Sequence, residues 1–119
     1  MDDLGPPVSH LALRDGVPVY DCVGERVGVV DRVMTDDATG IFEGLIVHTL
    51  PVVGGRHLFA SHDQIAELRE RGVRLSAGRA DLYELDGSAG RRRRGDRSAE
   101  PRVEALLRKA WDWLTAPPR

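Results

Sequence analysis

The chain has 119 residues and a formal net charge of −2, a length that accommodates one small domain with a modest core. No run approaches the ~18 consecutive apolar residues of a membrane-spanning helix, and the single cysteine, Cys22, excludes an internal disulfide framework. The start of the chain, MDDLGPPVSH, has neither the basic nor the apolar region of a secretion signal. We therefore expect a cytoplasmic protein.

The two parts of the chain carry opposite net charges. Residues 1–87 contain eight arginines against fifteen acidic residues, a net charge of −7. Residues 88–119 contain nine basic residues against four acidic residues, a net charge of +5. This asymmetry indicates that the C-terminal part either has a task of its own or docks on the acidic part.

Four strands are predicted in the first half of the chain, where Val, Ile and Phe recur between clusters of turn residues. They cover residues 17–23, 26–35, 41–50 and 56–60. Residues 1–13 show no apolar period, and the run Gly5-Pro6-Pro7 suits neither a helix nor a central strand. We expect residues 1–13 to form a flexible N-terminal arm.

The second predicted strand places apolar side chains on both faces, which indicates two-sided burial or a bulge near Val29-Val30. Gly28 lies within this strand, where a residue without a side chain marks a bend or a close backbone approach. Gly24 lies in the turn before the strand, and Gly40 closes the acidic turn Asp36-Asp37-Ala38-Thr39-Gly40 after it. Small barrels need such bends in order to close.

Residues 61–76 admit two interpretations. Ser61 and Gln64 have the spacing of a capping box, which predicts a helix that continues to Gly72. The alternative is one helical turn over residues 61–65 followed by a hairpin around Gly72. Further on, the i, i+3 spacing of Leu82 and Leu85 predicts a short helical segment over residues 79–85.

The composition changes after residue 86. Residues 87–98 are rich in Gly, Ser and Arg and are predicted to be a flexible linker. Residues 99–115 predict an amphipathic helix with one apolar stripe and two tryptophans beside it. The stripe and the tryptophans are Val103, Leu106, Leu107, Ala110, Trp111, Trp113 and Leu114. We expect these side chains to bind protein (the chain's own barrel, a second copy or another protein), with a membrane surface as a further alternative.

A series of short motifs runs in order from the first strand to residue 75. The motifs are Val19-Tyr20-Asp21, Gly24-Glu25-Arg26-Val27-Gly28, Asp31-Arg32-Val33 after Val30, Asp36-Asp37 before Gly40, Leu45-Ile46-Val47, and Asp63-Gln64-Ile65 ahead of Val73-Arg74-Leu75. Their order and spacing resemble the PRC-barrel family, the small β-barrel shared by the photosynthetic reaction centre H subunit and a ribosome maturation factor.

The resemblance implies a mainly β fold, a six-stranded and heavily bent barrel over residues 14–86 with short helical turns, followed by the C-terminal helix. It favours the turn-plus-hairpin interpretation of residues 61–76. One departure is Ala60, near which many members carry a proline. We interpret Gly24, Gly28, Asp31 and Gly40 as structural positions of this barrel. The family implies an adaptor in protein assembly rather than an enzyme.

The remaining chemical candidates are few. No nucleotide-binding loop or nucleophile motif is present, and no cofactor is predicted. His48 and His57 lie on strands that we expect to pair, with His62 a little further on, but acidic or thiol partners at ligand spacing are not evident, so no metal is predicted. Cys22 is expected to be a small core residue rather than a reactive thiol.

Arginines in the linker are the sharpest electrostatic feature. The candidate anion-binding residues are Arg91, Arg92, Arg93, Arg94 and Arg97. The predicted function is a non-catalytic PRC-barrel adaptor that binds a protein and forms a homodimer. One alternative is an RNA- or ribosome-associated assembly factor that uses these arginines, although the negative charge of residues 1–87 opposes a polyanion. A peripheral membrane-associated barrel protein is the second alternative.

Overall fold

The computed structural model describes residues 4–49, 55–85 and 101–115, with side chains described from Val103 onward in the last range. Within these ranges the chain forms seven β-strands, one α-helix and two short 3₁₀ turns, His62–Gln64 and Arg79–Asp81. The strands are β1 (Pro18–Tyr20), β2 (Arg26–Thr35), β3 (Phe42–Thr49), β4 (His57–Ser61), β5 (Ile65–Arg69), β6 (Gly72–Leu75) and β7 (Tyr83–Leu85), and the helix is α1 (Pro101–Thr115).

The strands form one sheet in the order β5-β6-β1-β2-β3-β4-β7, which curls into a half-barrel. The pairs are antiparallel except β1 with β6, which is parallel. The predicted class, a mainly β bent barrel with a C-terminal helix, is confirmed. The turn-plus-hairpin interpretation of residues 61–76 is also confirmed, by the pairing of β5 with β6. The strand count is seven rather than six because β7 pairs with β4 at the sheet edge.

The longest strand, β2, bends because its pairing with both neighbours is irregular. Its register shifts at Val27 against β1 and at Asp31 against β3, and each shift leaves one extra residue on β2. The two bulges lie on either side of the predicted position at Val29-Val30. Gly28 lies between them, and a Cβ atom built there would lie 2.1 Å from the carbonyl oxygen of His48.

The sheet buries apolar side chains on both faces, as the two-sided pattern of β2 and β3 predicts. The inner face forms the main core, with Leu13, Val19, Val27, Val30, Leu45, Val47, Leu58, Ala60, Val73, Leu75 and Leu82. The outer face contributes Met34, Ile46, Phe59 and Leu85, which pack with α1. Alternation of side chains along β3 explains this division, because Leu45 and Val47 point inward while Ile46 points outward.

Part of the predicted N-terminal arm forms hydrogen bonds with β5 and the turn after it. The amide of Val8 donates to the carbonyl oxygen of Leu68 at 3.0 Å, and the carbonyl oxygen of Pro6 accepts from the amide of Glu70 at 3.0 Å. Proline lacks an amide donor but keeps its carbonyl acceptor, so a proline-containing segment can still pair with the free edge of β5. The segment thereby covers an edge strand that would otherwise be unpaired.

Two local predictions are wrong. Residues 79–85 form a 3₁₀ turn and then β7 instead of a helical segment, because pairing with β4 outweighs the spacing of Leu82 and Leu85. Cys22 is exposed and does not belong to the core. The Asp21 carboxylate accepts two backbone amides further along the turn, at 3.0 and 2.9 Å, and the chain folds around it with Cys22 outward.

Candidate protein-binding groove

The outer face of the sheet is covered by α1, whose apolar stripe packs against it. Val103, Leu107 and Ala110 are at most 7% exposed and join the outer core. Their spacing of four and three residues places them on one helix face. Four further side chains are partly buried at the margins of this contact: Leu106, Trp111, Trp113 and Leu114. The centre of the predicted stripe is therefore engaged within the chain.

Two cationic side chains fix the position of α1 along the sheet. Lys109 Nζ donates to the carbonyl oxygen of Thr35 and to Glu43 Oε1, both at 2.7 Å. Arg32 Nη1 donates to the carbonyl oxygen of Trp113 at 2.5 Å, which satisfies one of the free acceptors in the last helical turn. Each bond joins the helix to a defined position on β2 or β3, so the helix cannot slide without breaking them.

A groove of about 270 Å³ lies where the first turns of α1 meet the turn between β2 and β3. Its apolar wall consists of Ile41, Phe42, Val103 and Leu106. Its polar rim consists of Asp36, Thr39, Glu43, Ser61, His62 and Asp63. Small-molecule pockets usually span about 300–1,000 Å³, so a groove of this size suits one or two side chains of a polypeptide.

Asp36 shapes the turn that forms one end of the groove. Its Oδ1 accepts the backbone amide of Thr39 at 3.0 Å and that of Ala38 at 2.8 Å. These backbone hydrogen bonds, from Thr39 first and Ala38 second, hold the pKa of the Asp36 carboxyl below its ordinary value of 3.8. Asp36 is therefore negatively charged at neutral pH.

The rim carries net negative charge. Asp36, Glu43 and Asp63 supply three carboxylates to it. Lys109 pairs with Glu43, while Ser61 Oγ donates to the Asp63 carboxylate without neutralising it. A half-enclosed groove with unneutralised carboxylates attracts cations, so the rim favours a ligand that carries lysine or arginine.

Ile41, on the groove wall, has an exposed apolar side chain, and so does Leu11, which follows His10 in the sequence. Ile41 is 64% exposed and Leu11 is 82% exposed. His10 brings the two segments together, because its ring stacks on Phe42 at 5.1 Å between centroids and its Nε2 donates to the carbonyl oxygen of Gly40 at 3.2 Å. Apolar side chains exposed next to a concave, partly apolar groove are typical of a protein-binding surface.

The predicted site residues fall into three groups. Val103, Leu107 and Ala110 face the chain's own sheet, whereas Leu106 lines the groove. The candidate anion-binding arginines, 91–94 and 97, lie outside the described residues, as does the predicted linker. Asp31, interpreted as a structural position, occupies a bulge of β2.

Among the glycines interpreted as structural, Gly24 and Gly40 adopt positive φ angles of 88° and 74°. These angles fall in the left-handed region that favours glycine in tight turns. Gly28 instead occupies a strand position where the backbone of β3 leaves no room for a Cβ atom.

The acidic rim was not predicted as a site. Asp36, Glu43 and Asp63 come from two separate turns and one strand, and each is an ordinary surface acid in its own segment. The groove exists only because β3 and β4 pair and because α1 crosses their outer face. The useful sequence signal was Ile41, a large apolar residue directly after an acidic hairpin turn.

No helix among the described residues is long and apolar enough to cross a bilayer. The curled sheet of short strands, with β2 bent by two bulges, defines a small bent-barrel domain. The family model for the PRC-barrel domain matches residues 15–82, more than half of the chain. The chain belongs to the PRC-barrel family. No curated protein matches it. The helix α1, and with it one wall of the groove, lies outside the matched residues.

Proposed function

We propose that this protein is a non-catalytic adaptor that binds a polypeptide in the groove beside α1. The observation that carries the proposal is the combination of a carboxylate rim with an apolar wall that includes the exposed side chain of Ile41. The chemistry of the groove fits a segment that presents one apolar side chain flanked by lysine or arginine. A buried apolar anchor inside a polar rim is the usual anatomy of such contacts.

The proposal includes self-association through the same end of the molecule. Leu11 and Ile41 leave apolar surface in water, and a second copy in a closed two-fold dimer would cover both. Residues 88–119 also carry a net charge of +5, which complements the acidic groove of a second copy.

Light scattering after size exclusion at micromolar concentrations tests self-association. The wild-type chain is expected to elute as a dimer and the Ile41→Asp variant as a monomer, because the substitution removes an apolar contact and places a carboxylate that would have to lose its hydration in the interface. The matched control is Val23→Asp, which introduces the same charge at a side chain that is 73% exposed. Val23 lies beyond the other end of β2, so this variant is expected to remain dimeric.

A wild-type chain that is monomeric up to about 100 micromolar contradicts self-association, since a dimer that weak has a free energy of association of only roughly 5–6 kcal/mol. That result leaves the adaptor proposal standing, with a different protein as the ligand. If Val23→Asp also dissociates the dimer, the interface lies elsewhere, and the groove loses its proposed role in self-association.

The nucleic-acid alternative rests on the arginines at 91–94 and 97, and its signature is an affinity for RNA that falls steeply with salt concentration. The membrane alternative is weakened by the packing of α1. Its stripe residues Val103, Leu107 and Ala110 contact the sheet, so the helix would have to leave the sheet before it could lie on a lipid surface.

A further inference from the structure

Three neighbouring strands each present one metal-ligating side chain on the outer face of the sheet. Asp31 lies on β2, His48 on β3 and His57 on β4. One ligand atom from each of the three lies within 4.8 Å of the other two. His57 Nε2 is 3.1 Å from Asp31 Oδ2, and the two imidazole rings are 4.5 Å apart between centroids.

The strand register produces this cluster. His48 is the direct partner of His57 in the antiparallel pairing of β3 with β4, so both rings project from the same face. In the pairing of β2 with β3, Val30 lies opposite Val47 and the next paired residue, Arg32, lies opposite Ile46. Asp31 between them has no partner residue on β3 and forms the bulge. Its carboxylate reaches across β3 toward His57, while Arg32 beside it is engaged by the carbonyl oxygen of Trp113.

We propose that Asp31, His48 and His57 form a binding site for a divalent transition-metal ion of the zinc class. Two imidazoles and one carboxylate favour zinc and its transition-metal neighbours over magnesium or calcium, which prefer all-oxygen ligands. Two ligands of a tetrahedral zinc ion, each about 2.0–2.1 Å from the metal, lie roughly 3.4 Å apart. The separation between His57 Nε2 and Asp31 Oδ2 is close to this value.

The environment suits a site that exchanges with solvent. The side chains of His57 and Asp31 are 29% and 28% exposed, so a metal ion can enter while the strands hold the ligands in place. Three protein ligands leave at least one coordination position for water or for a donor from another molecule. The cluster lies outside the groove lining, so the metal proposal does not depend on the proposed function.

The sequence alone predicts the pairing of His48 with His57 but shows no acidic partner at ligand spacing. Asp31 is distant from both in the sequence, and it precedes Arg32 in a strand that contains other polar residues, so nothing local marks it as a ligand. The missing partner became apparent only when the register of β2, β3 and β4 placed three side chains side by side. The competing interpretation is a plain hydrogen bond between His57 and Asp31 with no metal affinity.

Calorimetric titration of the chelator-treated, tag-free full chain with zinc sulfate tests the proposal. The expected result is saturable binding of one zinc ion per chain and a higher melting temperature in its presence, because a ligand that binds the folded state stabilises it. Cobalt(II) provides a second readout, since its visible absorption reports the ligand field of a four-coordinate site.

The decisive variants are His48→Gln, His57→Gln and Asp31→Asn, which keep the size of each side chain approximately constant. Each variant is expected to lower the affinity for zinc by more than about tenfold. The loss of a residue that only orients a metal ligand already lowers the affinity by about tenfold or more, and these residues would bind the metal directly. His10→Gln and His62→Gln are the matched controls and are expected to bind like the wild type. Circular dichroism without metal verifies that every variant is folded.

The absence of saturable zinc binding by the wild type overturns the proposal. So does binding that the three ligand variants leave unchanged, or binding that His62→Gln weakens as much as His57→Gln does. Since His62 lines the groove beside its carboxylates, the last result would place the metal in the groove instead.

Discussion

The Leu107→Asp variant is expected to release α1 from the sheet and to destabilise the protein by at least about 3 kcal/mol. Leu107 is 5% exposed and packs in the outer core with Met34, Ile46 and Phe59. An aspartate there loses the apolar contact and places a charge among the apolar side chains of the outer core. Because a 15-residue helix is marginal alone in water, α1 is expected to lose helicity once it leaves the sheet.

Tryptophan fluorescence and thermal unfolding measure this effect. Trp111 and Trp113 are the only tryptophans, and both pack against the outer core, so their emission is expected to shift to the red as the helix is released. The matched control is Ala105→Asp, which adds the same charge on the exposed side of α1. An unshifted emission with an unchanged melting temperature in Leu107→Asp would contradict the docked position of the helix.

The Gly28→Ala variant is expected to destabilise the barrel by on the order of 3 kcal/mol. The added methyl carbon would lie 2.1 Å from the carbonyl oxygen of His48 and 2.9 Å from the Cα atom of Thr49. Both are backbone atoms in a paired strand, so the conflict can be relieved only by separating β2 from β3. That separation would disturb the pairing of both strands with their neighbours.

Urea unfolding followed by circular dichroism measures the cost of the Gly28→Ala substitution. The control is Gly78→Ala, because Gly78 has a φ of −82° and a Cβ there would meet its nearest neighbour, Asp81, at an ordinary 3.8 Å. The control is expected to change the free energy of unfolding only slightly. If the two variants unfold at the same urea concentration, β2 and β3 do not approach as closely as described.

The main strands were predictable because each is a continuous run of β-formers between turn residues. The predicted bounds of the second strand, residues 26–35, agree with β2, since Gly24 and the Asp36 turn delimit it on both sides. The helix was predictable for a similar reason, because its apolar stripe extends over about three turns. These signals are local, and the tertiary structure reinforces them.

The errors occur where long-range pairing decides the structure. Three residues of β7 form a strand only because β4 offers an edge, and no local pattern distinguishes them from a helical turn. Leu4, Pro6 and Val8 form hydrogen bonds with β5 and the turn that follows it, although residues 1–13 show no apolar period. Cys22 is outward because the Asp21 side chain organises the turn, a contact that composition does not reveal.

The groove and the metal cluster could not be predicted for a related reason. Each site joins side chains from segments that are far apart in the sequence. Strand register brings the metal cluster together, and the position of α1 on the sheet completes the groove. The sequence around each residue does not reveal these sites, since Asp31, Glu43 and Asp63 are ordinary acidic residues in their own segments. The matched family region ends at residue 82, so the helix wall of the groove is an addition to the PRC-barrel domain.

The most direct test of the groove as a protein-binding surface is photo-crosslinking in the native cells of the protein. The photoreactive residue p-benzoylphenylalanine replaces Ile41 in one variant and Val23 in a control, two exposed side chains beyond opposite ends of β2. The account predicts a discrete crosslinked protein, either a second copy or another polypeptide, from position 41 and none from position 23. Crosslinking of the same proteins from both positions, or of no protein from position 41, would contradict it.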